Sequence, residues 1–325
     1  MKSDSEFYSQ NFEDVFLARC FAGITDGFYI DVGAQHEEVD SVTRHFYEAG
    51  WSGINIEPVA EFAATFKCRE RDLTVCCAAG SDERLMPMAI SLDSGLSSLD
   101  QKNAANTESL GLLTETRIIH IRRLDDILLD IGLPEKDFEF LKVDVEGFEL
   151  EVINGLNLHR YRPRIILCEV TEPNTCTKTE NFAELCRVIE SYDYTRVFFD
   201  GLNQWWCQAT FFPELSQHFH VPPGVMDSLT ISPYSGTSAR KKLRHTQTEL
   251  AASIAMQRQI NEQIAELRQQ LQEAHEQLAE ANEARENALR EIEAIHSSHS
   301  WRITQPFRKA TQVFTHIWQQ HGTMR

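Results

Sequence analysis

The chain has 325 residues, of which 42% are hydrophobic and 25% charged, and a formal net charge of −18 at pH 7. This composition is typical of a folded soluble protein, and no apolar run approaches the roughly 18 residues that a membrane-spanning helix needs. Residues 1–235 hold 39 of the 49 Asp/Glu, which disfavours contact with a phosphate backbone, so we expect no nucleic-acid partner.

The first residues, Met1–Gln10, are polar and lack the apolar stretch of a secretion signal. The eight cysteines include no Cys-x-x-Cys pair, so reduced thiols fit the sequence better than disulfides or a zinc site. We therefore expect a cytoplasmic protein.

Strand-like and helix-like segments alternate from residue 10 to residue 212. Short apolar runs bounded by an acid or a glycine predict strands, at residues 27–31, 53–57, 73–79, 86–92, 117–121, 138–143 and 164–168. Amphipathic periods predict helices, at residues 10–21, 39–49, 58–69, 123–132, 149–154 and 181–191. Arg196–Phe199 and Trp205–Phe212 predict an antiparallel pair, and Gln101–Thr116, which has little periodicity, predicts a mobile loop or lid. The alternation favours an α/β fold, with a Rossmann-like, doubly wound and mostly parallel sheet.

Four of the predicted strands end on an acid: Asp31, Glu57, Asp144 and Glu169. Gly33 follows the first of them, where the backbone must turn tightly or approach a ligand closely. Because ligands of open α/β sheets bind at the carboxyl ends of the strands, we expect these acids to border one site.

The spacing of these residues indicates a nucleoside ligand. Glu57 comes 24 residues after Gly33, an offset that suits a carboxylate accepting both hydroxyls of a ribose. The G-x-G-x-x-G of a dinucleotide site is absent, and Glu37 and Glu38 would repel a pyrophosphate. A nucleoside that carries positive charge, such as S-adenosylmethionine, fits better. We therefore favour methyl transfer over the alternative of a nicotinamide dehydrogenase.

Several blocks of the sequence resemble the FkbM family of methyltransferases. They are 27–34 (GFYIDVGA), 40–43 (DSVT), 46–58 (FYEAGWSGINIEP), 95–99 (GLSSL), 124–127 (LDDI), 141–149 (LKVDVEGFE) and 162–169 (RPRIILCE). The resemblance covers roughly residues 10–210 and implies a Rossmann-like enzyme that uses S-adenosylmethionine, usually to methylate a hydroxyl of a sugar or polyketide. It also implies that Asp31, Gly33 and Glu57 bind the cofactor. The sequence departs from the family at His36–Glu37, where relatives often carry a proline.

From these features we predict three sets of site residues. The cofactor-binding set is Asp31, Gly33, Ala34, Ser41, Glu57 and Pro58. Asp144 and Glu146 form the catalytic set, because methylation of a hydroxyl needs an aligned base to take the proton. Glu169 and Lys142 form the acceptor-binding set.

Alternatives stay open for some of these residues. His36 and His45 could serve as the base, although a histidine near a loop is more often polar surface. Glu146 precedes a predicted helix, where an acid is stabilising without any catalytic role. No metal is predicted; a divalent cation held by Asp144 and Glu169 is the alternative, since oxygen ligands suit magnesium.

Beyond residue 212 the composition changes twice. Pro213–Gly236 holds four prolines and two glycines and predicts a linker, whereas Thr237–Gln305 has neither residue type. Side chains spaced alternately four and three residues apart form one stripe: Ile260, Ile264, Leu267, Leu271, Ala274, Leu278, Ala281, Arg285, Ala288, Ile292 and Ile295. This stripe is too narrow for a helix packed on its own domain, so it predicts a left-handed coiled coil joining copies of this chain or a hetero-assembly. The alanines suit a dimer or an antiparallel pair, and Arg285 favours a low number of strands.

Trp301–Trp318 combines aromatic and aliphatic side chains with basic residues, and no acid follows Glu293. Such a segment predicts peripheral contact with the inner face of a membrane or with a partner such as a glycosyltransferase, a helical cap on the coil being the alternative. The predicted domains are an FkbM-like methyltransferase domain at 1–212, a linker at 213–239, a coiled coil at 240–298 and a basic aromatic segment at 299–325.

Together these features predict an S-adenosylmethionine-dependent O-methyltransferase. Its acceptor would be a hydroxyl of a glycan or a related natural product, in the synthesis of surface polysaccharide. The alternative from another class is a coiled-coil scaffold whose Rossmann-like domain is inactive. Alanine at Asp31 or Glu57 distinguishes the two: loss of function with the oligomer intact favours the enzyme, whereas no effect favours the scaffold.

Overall fold

The computed structural model of the chain describes residues 6–92, 97–100, 103, 115–172, 175–236 and 238–312. The chain divides into two units, Met1–Leu243 and Arg244–Arg325. Strands occur in the first unit: β1 (Glu6–Phe7), β2 (Phe28–Val32), β3 (Ser52–Ile56), β4 (Leu73–Val75), β5 (Ala78–Gly80), β6 (Arg84–Ile90), β7 (Glu115–Arg123), β8 (Asp137–Val143), β9 (Arg162–Glu169), β10 (Tyr194–Phe199), β11 (Asn203–Gln208) and β12 (Thr230–Ile231). Its helices are α1 (Glu13–Cys20), α2 (Arg44–Glu48), α3 (Ala60–Ala63), α4 (Leu124–Asp130), α5 (Glu149–Asn154), α6 (Phe182–Glu190) and α7 (Phe212–Leu215).

The main sheet has seven strands in the order β10-β11-β9-β8-β2-β3-β4. From β4 to β9 the neighbouring strands are parallel, while β11 is antiparallel to both of its neighbours. The chain starts this sheet at β2, adds β3 and β4 on one side and β8 and β9 on the other, and inserts β11 between β9 and β10, which is a doubly wound topology. The predicted fold class is confirmed, and so is the antiparallel pair that closes the sheet.

One predicted strand, at residues 73–79, is wrong because the chain leaves the main sheet halfway along it. β4 ends at Val75, and the amide of Cys77 donates to the Val75 carbonyl in a tight turn. β5 then joins a separate three-stranded sheet of order β5-β7-β6. An apolar run gives no signal of a change of sheet, since both halves are extended.

The helix predicted at residues 39–49 covers only Arg44–Glu48. Asp40 has a left-handed backbone, with φ of 56°. Its side chain accepts a hydrogen bond from the amide of Gly236, and its own amide donates to the carbonyl of Tyr234. These long-range contacts hold the chain in a loop where local periodicity favours a helix. The lid predicted at Gln101–Thr116 lies mostly outside the described residues.

The alternation of side chains along the strands divides the core between the two faces of the main sheet. Ile30 and Leu141 belong to the cluster that packs against α4, α5 and α6. Tyr29 and Phe140 belong to the cluster that packs against α1 and α2. Each such side chain contributes roughly 1.5–3 kcal/mol through burial. Polar side chains at the carboxyl ends of β2 and β8 that share the face of Tyr29 and Phe140 therefore lie on the α1 side.

The segment Pro213–Gly236 is not the free linker that its composition predicts. Its β12 pairs in parallel with β1, and its Phe219 is buried in the cluster beside α1. Arg19 of α1 forms a two-pronged ion pair with Asp227, at 2.6 and 2.7 Å. The segment is part of the folded first unit, because these contacts satisfy its backbone and bury its apolar side chains.

The second unit is helical where it is described. Its elements are α8 (Ser238–Ser297), which starts at the end of the first unit, α9 (His299–Ile303) and a helical stretch at residues 305–312. Over 252–297 every side chain of α8 is exposed. Among the helices of the described ranges, none combines the length and the apolar character needed to cross a membrane.

Candidate active site

Asp31 and Lys142 are neighbours because their strands pair in register. β2 and β8 are parallel, and Asp31 lies directly beside Lys142 at the carboxyl ends of both strands. The Lys142 Nζ atom is 3.4 Å from Asp31 Oδ1, and Asp31 is only 1% exposed. Burial raises the pKa of Asp31, and the ammonium of Lys142 works against that rise. The sheet thus places one buried ion pair at the site where its carboxyl-terminal edge opens.

Lys142 also holds Asp144, the first residue after β8. The Nζ atom donates to Asp144 Oδ2 at 3.1 Å. Burial opposes the charge on Asp144, but the ammonium of Lys142 and a hydrogen bond from Glu169 together lower the pKa of Asp144. Burial also opposes the charge on Lys142, yet Asp144 and Asp31 raise the pKa of Lys142 above its usual value. Lys142 therefore stays charged and keeps Asp144 ionised.

Three carboxylates meet beside this lysine. Oxygen atoms of Asp144, Glu146 and Glu169 all lie within 4.8 Å of one another. Burial, and after it the charge of Asp144, raises the pKa of Glu146 and of Glu169 well above the usual value for glutamate. The cluster therefore contains one ionised carboxylate and two that retain protons to higher pH. Its oxygens could hold a divalent cation, and the prediction that no metal binds stays a prediction.

Gly33 brings the turn after β2 against the end of β8. Its amide donates to the carbonyl of Ile56 at 2.9 Å, and the amide of Asp144 donates to the carbonyl of Val32 at 2.9 Å. Gly33 has φ of +80°, and a Cβ atom at this position would lie 1.8 Å from the Asp144 carbonyl oxygen. A glycine is required here by the neighbouring backbone, which the sequence could not reveal.

Glu57 joins two loops of the same edge. Its Oε2 atom accepts from the amide of Gln35 and its Oε1 atom from the amide of Val59, both at 2.8 Å. Glu57 is 4% exposed, and burial raises its pKa to about 7. Ala34 is buried in the first of these loops and Pro58 half-buried in the second. A carboxylate fixed in this way keeps further lone pairs for a ligand.

Ser41 is held by a residue that the sequence did not single out. Its hydroxyl accepts from Arg69 Nη2 at 3.0 Å and lies 3.3 Å from the hydroxyl of Thr43. Arg69 is buried and also donates to Thr43 and to the carbonyl of Glu37. Ser41 therefore braces the loop between β2 and α2, and its predicted contact with a cofactor stays a prediction.

The turn after Asp144 is built by polar contacts on both sides. Glu146 has a left-handed backbone with φ of 55°, and its carbonyl accepts from Ser98 Oγ and Asn103 Nδ2, each at 2.7 Å. Glu149 Oε1 accepts from the amides of Val145 and Gly147, at 3.2 and 3.1 Å. These contacts fix the backbone of the turn that carries Glu146. Glu149 was expected only to begin a helix.

Glu13, in the first turn of α1, is a second residue that sequence reasoning missed. It is 3% exposed, and its Oε1 atom accepts from Asn203 Nδ2 at 3.0 Å. Burial raises the pKa of Glu13 to about 7, and its charge helps to raise that of Lys142. An acid in the first turn of a helix is ordinarily stabilising, so only the packing of α1 reveals this proximity.

The two histidines considered as alternative bases make contacts with backbone. His36 Nδ1 accepts from the amides of Glu38 and Val39, at 3.0 and 3.1 Å. His45 Nδ1 contacts the carbonyl of Glu6 at 2.9 Å, and its ring stacks on Phe7. These contacts give both rings a structural role in the loops around α2.

The carboxylates at the carboxyl-terminal edge of the sheet favour a cationic ligand. Asp31 and Glu57 provide carboxylates on the predicted cofactor side, while Lys142 is already paired with Asp31 and Asp144. A site bordered by carboxylates fits a nucleoside that carries a sulfonium and an ammonium group.

A family model and solved structures match parts of the chain. Residues 31–196, more than half of the chain, match the methyltransferase FkbM domain. No curated protein matches the chain. Among solved structures, it is similar to a precorrin-6y C5,15-methyltransferase from Geobacter metallireducens GS-15, with 10% identity and a TM-score of 0.32 over 56% of this chain and 71% of that one. It is also similar to an S-adenosylmethionine-dependent methyltransferase from Agrobacterium tumefaciens, with 6% identity and a TM-score of 0.27 over 61% of each chain.

Proposed function

The chain belongs to the FkbM family of S-adenosylmethionine-dependent methyltransferases, and from this premise we propose that it methylates a hydroxyl of a glycan or a related natural product. The observation that carries the proposal is the contact of Lys142 with Asp144, which keeps Asp144 ionised beside two carboxyl groups that hold their protons to higher pH. Groups whose surroundings push their pKa values apart are suited to act as base and as hydrogen-bond donor.

Asp31 and Glu57 would hold the cofactor, Glu57 through the ribose hydroxyls and Asp31 through its positive end. The backbone of Gly33 and Ala34 would lie next to the cofactor. Ser41 and Pro58, in the neighbouring loops, are the other two residues of the proposed cofactor-binding set. S-adenosylmethionine, when bound, supplies an electrophilic methyl group. The chain itself orients the acceptor and removes its proton.

Asp144 is the proposed base. Its pKa lies below the usual value, so it is ionised at neutral pH and can accept the proton of an acceptor hydroxyl. Glu146, which holds its proton to higher pH, can donate a hydrogen bond to another oxygen of the acceptor. Glu169 donates its own proton to Asp144 and can accept a hydrogen bond from an acceptor hydroxyl. Lys142 would act on the acceptor indirectly, because it donates to Asp144 and keeps that carboxylate charged. An acceptor rich in hydroxyls, such as a sugar, suits a site of this composition.

The proposed setting is a surface polysaccharide pathway at the inner face of a membrane. It is supported by the tail that follows Glu293, which carries Arg302, Arg308 and Lys309 and no acid. In the described part of this tail, Arg308 lies over the ring of Trp301 at 3.5 Å. Flotation of the protein with anionic vesicles, compared with neutral ones, tests this setting. Equal recovery in both would remove its support.

The activity is tested with the full-length protein, methyl-labelled S-adenosylmethionine and a panel of polysaccharide, oligosaccharide and peptide acceptors. We expect label in the carbohydrate that survives mild alkali, because a methyl ether is stable there and a methyl ester is not. Asp144→Asn should lower the rate by about 10²–10⁴-fold, as expected for loss of a general base. It should leave binding of S-adenosylhomocysteine within about threefold, since Asp144 is assigned to the acceptor.

The matched control is Asp130→Asn, because the Asp130 side chain is 64% exposed and its partner Arg122 lies on the surface. This variant should keep the rate of the parent. Label found only in peptide, or in an alkali-labile form, would overturn the proposed acceptor class. A rate for Asp144→Asn equal to that of the control would overturn the proposed base.

A further inference from the structure

Helix α8 carries a stripe of mostly apolar side chains that face solvent from Ile260 to Ile295. Leu267 is 63% exposed, Leu271 and Leu278 are 58% exposed, and Ile295 is 52% exposed. A row of this length left in water is a docking surface rather than scattered surface residues.

The stripe has the spacing of a coiled-coil seam. From Ile260 to Ile295 it runs for five heptads, more than the three or four that indicate a coiled coil. Assigning Ile264 to position a places Leu267 at position d, and the pattern continues without a break. The helix itself extends to Ser297 and covers the entire seam.

The charge pattern permits two copies of this helix to meet. Eight of the nine acids between residues 260 and 295 occupy the outward positions b, c and f. Only Glu291 lies at a position that flanks the seam, and the other g positions are glutamine or alanine. Two copies therefore meet without rows of like charge beside the seam, in spite of their many acids.

A parallel pairing packs this seam badly. In a parallel coil each seam residue faces its own copy. Ala274, Ala281 and Ala288 would then form three layers of two alanines each, and Arg285 would face Arg285. Layers of paired alanines leave space unfilled beside layers of paired leucines. Two guanidinium groups in one layer repel each other in a partly dry seam.

An antiparallel pairing removes both defects, since position a of one helix then faces position d of the other. With Leu271 opposite Ala281, every alanine of the seam faces a large residue. The layers are Ile260 with Ile292, Ile264 with Ala288, Leu267 with Arg285, Leu271 with Ala281, and Ala274 with Leu278, each occurring twice. Large side chains thus alternate with small ones, and the two Arg285 residues lie in separate layers.

We infer that α8 forms a two-stranded antiparallel coiled coil with a second copy of this chain, in the register that places Leu271 opposite Ala281. The helix N-termini lie at opposite ends of this coil. The inference concerns assembly and does not depend on the acceptor proposed above.

The test introduces opposite charges at the two facing positions of one layer, in the full-length protein. Sedimentation equilibrium should give twice the chain mass of 37.3 kDa for the parent. Leu271→Glu and Ala281→Lys should each raise the dimer dissociation constant by at least about 100-fold, because each buries unpaired charge in the seam. The double variant L271E/A281K should return to within about tenfold of the parent, since every Glu then faces a Lys.

The matched control is L271E/A288K, which carries the same charges in layers that do not face each other. This control should remain dissociated. If the coil were parallel, both double variants would remain dissociated, because each new charge would face its own copy. Far-UV circular dichroism shows that each variant still folds, and Gln272→Glu, at an outward position, should behave as the parent. A monomeric parent at 50 µM would overturn the inference. So would a trimer, failure of L271E/A281K to recover, or recovery by the control instead.

Discussion

Replacing Gly33 with alanine tests how closely the two halves of the site are joined. The added Cβ would start 1.8 Å from the Asp144 carbonyl oxygen, and φ at this position is +80°. An L residue in that left-handed conformation costs roughly 1–2 kcal/mol. The carbonyl would also have to retreat by about 1.2 Å to a tolerable distance, which adds roughly 1–3 kcal/mol of overpacking. We expect a loss of about 2–5 kcal/mol in the free energy of unfolding.

The same chain supplies a control for the backbone part of this cost. Gly132 has φ of +73°, and a Cβ there would meet nothing within 4 Å. Gly132→Ala should therefore lose only the roughly 1–2 kcal/mol of the left-handed conformation. Urea unfolding followed by circular dichroism measures both variants. Calorimetric titration with S-adenosylhomocysteine should show at least about tenfold weaker binding for Gly33→Ala and parent-like binding for Gly132→Ala.

The difference between Gly33→Ala and Gly132→Ala in stability and in affinity measures the contact between Gly33 and Asp144. The retreat of the Asp144 carbonyl disturbs the bond from the Asp144 amide to the Val32 carbonyl, which closes β2 against β8. If the two variants were equal in stability and in affinity, the contact between Gly33 and Asp144 would carry no energy. The account of the site as two tightly apposed strand ends would then be refuted.

Three further predictions concern buried charge and the packing of the C-terminal part of the first unit. Burial raises the pKa of Glu149 to about 7, so the folded state retains a proton that the unfolded chain releases above its usual pKa. Stability should therefore fall as pH rises from 5 to 7.5, and Glu149→Gln should reduce that fall by about 2.5 kcal/mol in the free energy of urea unfolding measured across this range. Asp72→Ala should cost about 3–5 kcal/mol in the same assay, because it removes one of the two carboxylates paired with the fully buried Arg69 and the acceptor of the Tyr29 hydroxyl and the Gly53 amide; Asp130→Ala, on the surface, should stay within about 0.5 kcal/mol. Arg19→Ala should make Pro213–Gly236 the first site of limited proteolysis, since Arg19 binds Asp227 and the carbonyls of Val221 and Pro222; an unchanged cleavage pattern would mean that these bonds do not hold the segment.

The architecture could be predicted from the sequence because its signals are local. Apolar runs that end on Asp31, Glu57, Asp144 and Glu169 mark buried parallel strands, and parallel strands bring their carboxyl ends to one edge. The meeting of Asp144 with Glu169 follows from this rule, and the structure brings the two together with Glu146. The apolar stripe of α8 could also be predicted from a local signal, the alternating spacing of four and three residues.

The parts that could not be predicted depend on contacts between distant segments. Arg69 braces the loop that contains Ser41, and nothing in the sequence near either residue indicates that they touch. Glu13 approaches Lys142 only because α1 packs on the same face of the sheet. The charge on Asp144 depends on Lys142, whose role as a counter-ion appears only once strand register is known. Composition also failed for Pro213–Gly236, since proline and glycine mark turns in a packed segment as readily as in a free one.

The pairing of β1 with β12 has a consequence for the modularity of the catalytic unit. Glu6 lies beside Thr230 and Phe7 beside Ile231, so the first and last strands of the unit lie side by side. A domain of this kind can be joined end to end by a short peptide and opened at an exposed turn elsewhere, which permits circular permutation. It can equally be inserted into a loop of another protein without parting its two ends. Gene fusion could therefore attach this catalyst to different carriers while its own fold stays closed.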